Sequence, residues 1–227
     1  MNNLNKKSNT ENRRKLIEAA KKLFYEQGYK ATTLAQISNE SKVNNGLITY
    51  YFGSKADLAS EIMTEYMLEL RNSIAKQLYI REKSYSLDIG IAVENRVNLL
   101  LKLQNPKLLN FDIESSKEIQ TYKDINPRRD HFYALQKRLI NPNISDLNLR
   151  FYEVCGISVT RSLGEAYASG FLKCDVEEIA DYAIRMLFHM LELPVYQIEA
   201  LVEQSRFLAQ RINIKIGQNF EVISETY

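Results

Sequence analysis

Between Asn44 and Tyr51 the chain places two asparagines, a glycine, a threonine and two tyrosines, side chains suited to gripping a nucleic acid. Asn amides pair with adenine edges or phosphates, and Tyr hydroxyls reach phosphate oxygens while their rings pack on thymine methyls. Gly46 lets a helix N-terminus approach a duplex closely, so that its unpaired backbone N–H groups meet a phosphate. Ile48 and Phe52 stand four apart and anchor such a helix inward, leaving Asn44, Asn45, Gly46, Thr49, Tyr50 and Tyr51 outside. No comparable set points to catalysis. His131 and His189 are far apart, and no Ser/His/Asp group or paired carboxylates are spaced for acid–base work. Glycine-rich phosphate loops are absent, so no cofactor is implied. Cys155, Cys174, His131 and His189 carry no metal-ligand spacing and read as core fillers rather than a metal site.

The elements that must position these residues are legible around them. Leu16, Ala20, Leu23, Phe24 and Gln27 line one side of a first helix, which Gly28 stops in the left-handed manner. Thr33 with Gln36 forms a capping-box pattern that opens a short helix with Leu34 and Ile37 inward. A tight turn at Ser41-Lys42-Val43 follows, with Val43 plugging the space before a helix capped by Asn44. Gly53 breaks that helix, and Ser54 with Asp57 opens a long fourth one through Leu58, Ile62, Tyr66 and Leu70. These are the dimensions of a helix-turn-helix. Helical periodicity then predicts helices over 88–103, 112–123, 128–140, 147–171, 176–192 and 195–216. Breaks fall at Asn105-Pro106, Asn126-Pro127 and Asn141-Pro142, because the residue before proline is disfavoured in a helix. With no strand ladder in view, the expected class is all-α: a three-helix DNA-binding domain over 1–55 and a larger helical body over 56–227.

Charge follows the same division. Residues 1–57 hold 10 Lys/Arg against 5 Asp/Glu, whereas the remaining 170 hold 20 against 23, so the net +2 hides a basic head on a mildly acidic body. A basic head suits a polyanion; on composition alone a solvated face is the commoner reading. With 45% hydrophobic and 26% charged residues the chain is neither disordered nor membrane-spanning, since no stretch approaches 18 apolar residues. Two cysteines and a polar N-terminus without a signal-peptide core lead to a cytoplasmic expectation.

Residues Arg14 to Asp57 resemble the DNA-binding domain of the tetracycline-repressor (TetR) family of bacterial transcription regulators. The resemblance is carried by I-x-A-A-x-x-L-F (Ile17 to Phe24), G-Y-x-A-T-T (Gly28 to Thr33) and V-N-N-G-L-I-T-Y-Y-F-x-S-K-x-D-L (Val43 to Leu58). It implies that Thr33, Asn44, Asn45, Gly46, Tyr50 and Tyr51 face DNA and that Lys55 reaches a phosphate. Three positions depart from the pattern. Lys42 stands where Gly is usual and adds a phosphate contact, Thr49 replaces the frequent Tyr, and Leu47 sits where a small polar residue is common. The last two bear on base preference.

In the body, Gly156, Thr160, Gly164 and Ala168 recur every fourth residue, a smooth stripe that another helix can approach. Asp175 with Glu178 opens a helix whose face carries Ile179, Tyr182, Ala183, Met186, Leu187 and Met190. Arg161 to Leu193 also resembles the family's dimerisation helices, which implies a four-helix bundle between two protomers; packing inside one monomer is the alternative. Among the body's 10 Tyr and 7 Phe, Tyr66, Phe111, Phe132, Tyr133, Phe151 and Tyr152, with Cys155, are candidates to line an apolar cavity for a largely apolar effector. The functional expectation is a ligand-responsive regulator, a homodimeric repressor on a palindromic operator, with no enzymatic activity. Two rivals stand beside it: a DNA-binding adaptor controlled by a protein partner, and a helical enzyme that has recruited a helix-turn-helix.

Overall fold

A computed structural model of the chain describes residues 2–119 and 127–225. Its elements are α1 (Asn2–Gln27), α2 (Leu34–Ser41), α3 (Asn45–Phe52), α4 (Lys55–Glu82), α5 (Leu87–Gln104), α6 (Pro106–Ser116), α7 (Pro127–Leu139), α8 (Asp146–Ala168), α9 (Val176–Met190) and α10 (Val195–Ala209). A short ladder of β1 (Ile214–Ile216) and β2 (Val222–Ser224) follows. The all-α class holds, with two local corrections. The helix expected over 112–123 starts at Pro106, whose missing N–H costs nothing in a first turn, and Asn105 is extended as a pre-proline residue must be; the end of that predicted span lies outside the described residues. The last helix stops at Ala209, and Ile214–Ile216 becomes a strand.

The chain sorts into two compact units. The first comprises α1 to α3, α4 as far as Glu69, α6 and the segment Ile216–Ile223. Its core holds Leu16, Ala20, Phe24, Ile37, Ile48, Leu58 and Ile62, each fully buried. Phe111 of α6 is stacked between Phe24, at 5.3 Å, and Phe220, at 4.7 Å, and Phe220 meets Tyr25 edge-on at 5.4 Å. Phe220 takes this place with φ 65° and Asn219 with φ 56°, left-handed values unfavourable for a bulky side chain. The rings around it, and the Gly217 N–H donated to Glu221 O at 2.8 Å, hold that turn.

The second unit comprises α4 from Leu70, α5, α7 to α10 and the chain as far as Lys215, with Ser224 onward. Helix α5 is its axis, packed on α8, α9 and α10. From it Arg96, fully buried, donates Nη1 to Glu177 and Nη2 to Asp181, both at 2.5 Å. It also donates Nη2 to the Val202 carbonyl and Nε to Ser205 Oγ, each at 3.2 Å. Arg206 closes on the other oxygen of Asp181.

Burial pushes the Tyr66 phenol in the first unit and the Tyr152 phenol in the second well above their usual value of 10.0. The unfolded chain therefore releases these protons first, so each unit loses stability as pH rises past about 10. Denaturant titrations at successive alkaline pH values should show up to about 1.4 kcal/mol lost per pH unit for each tyrosine. A flat profile between about pH 10 and 11 contradicts this.

Candidate nucleic-acid interface

The turn between α2 and α3 is built from local hydrogen bonds. Thr33 Oγ1 accepts the Gln36 N–H at 3.3 Å and Gln36 Oε1 accepts the Thr33 N–H at 2.8 Å, the reciprocal capping box that opens α2. Lys42 ends α2 in the left-handed conformation, with φ 57° and its N–H on Ser38 O. Val43 is buried behind the turn, and its carbonyl accepts Ser38 Oγ at 2.6 Å. Asn44 caps α3 by accepting the Gly46 N–H at 2.8 Å, which leaves its amide N–H groups for an outside partner. A Cβ on Gly46 would sit 3.3 Å from that cap oxygen, so a side chain there crowds the cap as well as the approach.

Ile48 and Phe52 are buried, and Asn44, Asn45, Gly46, Thr49 and Tyr50 are exposed with Tyr51 half-buried. Tyr50 is 72% exposed, its ring touching Tyr51 edge-on at 5.2 Å, and the Tyr51 hydroxyl bonds Asn9 of α1. Beside this face runs an open cleft of about 750 Å³ between α1, α3 and α4, lined by Thr10, Arg13, Arg14, Lys21, Tyr50 and Tyr51 among others. Its cations have carboxylate neighbours: Arg13 with Glu61, Arg14 with Glu18 at 2.6 Å and Lys21 with Glu65 at 2.8 Å.

Lys55 is the resemblance-derived residue with the most local engagement. Its ammonium donates to the carbonyls of Tyr29 and Thr32, each at 3.1 Å, and lies 4.1 Å over the Tyr29 ring. Two of three donors are thus used, and one is left for a phosphate. The connector it holds is also gripped by α6 and the turn after it: Glu118 accepts the Tyr29 hydroxyl at 2.5 Å and Glu114 accepts the Lys30 N–H at 2.9 Å. Burial, then the Glu118 carboxylate, raises the Tyr29 pKa far above the ordinary range. Sequence reasoning missed Glu114 and Glu118, because nothing local to them signals a partner more than 80 residues away.

The seven pocket candidates are distributed over both units. Tyr66 and Phe111 are core residues of the first unit, and Phe111 is filled in on both faces by Phe24 and Phe220. In the second unit Phe132, Tyr133 and Tyr152 form a ring cluster, whereas Phe151 and Cys155 are exposed on α8. The interface candidates divide too. Ile179, Ala183 and Leu187 are buried inside this chain and have almost no surface to offer a second copy. A Cβ on Gly156 would meet Leu187 at 3.3 Å, so that part of the small-residue stripe is covered by α9 of the same chain. Gly164 is buried, Thr160 half-buried and Ala168 exposed; Tyr182 is exposed, and Met186 and Met190 are half-buried. Among the described residues no group of three His, Cys, Asp or Glu side chains is arranged for a metal, and no helix is long and apolar enough to cross a membrane.

Residues 16–62 match the family model for bacterial regulatory proteins of the tetR family. The HTH-type transcriptional regulator HbdR of Aromatoleum sp. (strain CIB) is 43% identical over 68 residues, 30% of this chain and 30% of that protein. BetI of Vibrio atlanticus (strain LGP32) is 35% identical over 63 residues, 28% of this chain and 32% of that protein. The chain thus spans about a third of the length of these curated relatives. The crystal structure of RolR in complex with resorcinol shares the fold, with a TM-score of 0.55 at 14% identity over 88% of this chain and 95% of that one. The helix-turn-helix head, residues 16–62, is thus similar to that of bacterial regulatory proteins of the tetR family, and the helical fold is shared with RolR.

Proposed function

We propose that this protein is a ligand-responsive, sequence-specific transcription regulator: a cytoplasmic repressor that binds a palindromic operator as a homodimer. The observation that carries this is the outer face of α3. A capped helix N-terminus with a free Asn44 amide, Gly46 and an almost fully solvated Tyr50 is a surface built to dock, since a structural helix has no use for so exposed a ring. Residues 1–55 form the DNA-binding head in this reading and 56–227 the effector and dimerisation body. Thr33, Lys42, Asn44, Asn45, Gly46, Thr49, Tyr50, Tyr51 and Lys55 make the DNA contacts, and the cleft beside α3 takes a sugar–phosphate strand.

A palindrome needs two heads about one turn, roughly 34 Å, apart. The faces that support pairing are the outward sides of α8 and α9, where Phe151, Val154, Ile157 and Tyr182 are exposed apolar or aromatic residues. The effector is placed among Phe132, Tyr133 and Tyr152. RolR binds resorcinol in its own structure, which supports a sensing role for a body of this fold without assigning the ligand.

Salt tests the reading. Association with DNA from the region upstream of the gene should weaken linearly in log–log form, with a slope of about −0.9 per phosphate neutralised. Lys42→Gly should flatten that slope by about 2 per dimer, one phosphate from each head. The same substitution should raise thermodynamic stability by about 0.5–1 kcal/mol, because glycine adopts the left-handed φ of this position without strain. Affinity that stays constant from about 50 to 200 mM salt refutes the proposal.

A further inference from the structure

Among the described residues two glutamines are buried in the second unit, and one of them is satisfied. Gln77, 2% exposed, uses its whole amide. Its Oε1 accepts the Asn213 N–H at 2.9 Å, and its Nε2 donates to Asn213 O at 3.0 Å and to Ser224 Oγ at 2.9 Å. Gln136 on α7, 1% exposed, lies beside the Tyr152 hydroxyl but makes no well-formed hydrogen bond at either Oε1 or Nε2. An unbonded buried amide is among the costlier groups a fold can carry, and a leucine of similar volume would remove the cost. Gln77 shows that this unit satisfies an amide where the amide is structural.

The neighbours of Gln136 are aromatic. Phe132 and Tyr133 lie one turn before it on the same side of α7. Tyr133 meets Tyr152, which is 5% exposed, edge-on at 5.8 Å. The Arg71 guanidinium covers Phe132 at 4.7 Å and is held by two 2.8 Å bonds to Glu94, so this ion pair is neutral as a whole. Ring faces, a phenol kept protonated by burial and an amide with its donor and acceptor in one plane make up the inventory.

We propose that Gln136, with Phe132, Tyr133 and Tyr152, forms the effector-recognition subsite of the body. It takes a neutral, planar aromatic molecule whose edge carries a hydrogen-bond donor beside an acceptor, as a carboxamide or lactam does. This rests on the ligand-responsive reading above. Such an edge meets the glutamine amide in a two-bond pair, and the rings cover its faces. An anionic isostere is disfavoured because the nearby cation is already neutralised by Glu94 and the ligand would lose its hydration uncompensated.

The test uses the full chain with three isosteres: benzamide, benzoate and toluene. Benzamide should raise the thermal unfolding midpoint and bind at least about tenfold more tightly than either benzoate or toluene. Gln136→Leu should leave the unliganded midpoint unchanged or higher while weakening benzamide about tenfold. Gln136→Met carries the same test if the leucine variant fails to fold. No benzamide-induced shift up to its solubility, equal affinity for toluene, or undiminished binding to the Gln136 variants overturns the assignment. Displacement of upstream DNA separates it from the broader reading. Benzamide bound through Gln136 without loss of DNA affinity leaves the site standing and removes the sensor role. A different effector that releases DNA equally from wild type and Gln136→Leu does the reverse.

Discussion

Tyr50→Ala weakens binding to upstream DNA by about thirtyfold or more and leaves the unfolding midpoint almost unchanged. Tyr50 is 72% exposed, so truncation opens no cavity, and surface changes of this kind stay within about 0.5 kcal/mol. A side chain that contacts a base or phosphate contributes about 1–3 kcal/mol, and in a two-fold complex the loss counts twice. Titration by fluorescence anisotropy at fixed salt, beside a denaturation curve of the same sample, separates the two quantities. Unchanged DNA affinity would remove α3 from the interface and with it the assignment of the head. An equal loss of stability would instead make Tyr50 a packing residue.

Arg96→Ala has the opposite profile: a loss of about 3–5 kcal/mol in stability, reached through the body. The guanidinium is fully buried and bonded to Glu177, Asp181, Val202 O and Ser205. Its removal leaves a cavity at the meeting of α5, α9 and α10, and leaves Asp181 with Arg206 as its remaining cation. Buried ion pairs are costly to break by halves and less costly to replace whole. The double variant Arg96→Leu with Asp181→Leu should therefore recover most of the loss in urea denaturation. If the single variant loses less than about 1 kcal/mol, Arg96 is not a structural hub of this unit.

Local chemistry was the part of the fold that could be read from residue order. The Thr33–Gln36 and Asp175–Glu178 boxes, the Asn44 cap and the Ser54–Asp57 start all form where residue types two or three apart require them, because both partners lie within one helical turn. The inward side of α3 was legible for the same reason. What could not be read was which apolar face meets which neighbour. Helix α9 buries Ile179, Ala180, Ala183, Ile184, Leu187 and Phe188, about half of its circumference, and periodicity marks this face as buried without showing which of α5, α8, α10 or a second copy it meets. The surroundings of the aromatic candidates were hidden for a related reason. Phe111 is an ordinary core residue in its own helix, and only the far end of the chain decides that its second face is occupied by Phe220. Periodicity alone carries a helix to 216, but α10 ends at Ala209 and the strand begins at Ile214.

The sandwich of Phe24, Phe111 and Phe220 also bears on how the molecule is made. The unit that carries the helix-turn-helix takes a ring from residue 24, a ring from residue 111 and a ring from residue 220, so it is discontinuous in sequence. During synthesis α1 to α3 emerge first, yet one face of Phe111 stays wet until Ile216–Ile223 has left the ribosome. A nascent chain therefore passes most of its translation with α3 on an unfinished support, and the support closes only when Ile216–Ile223 is available.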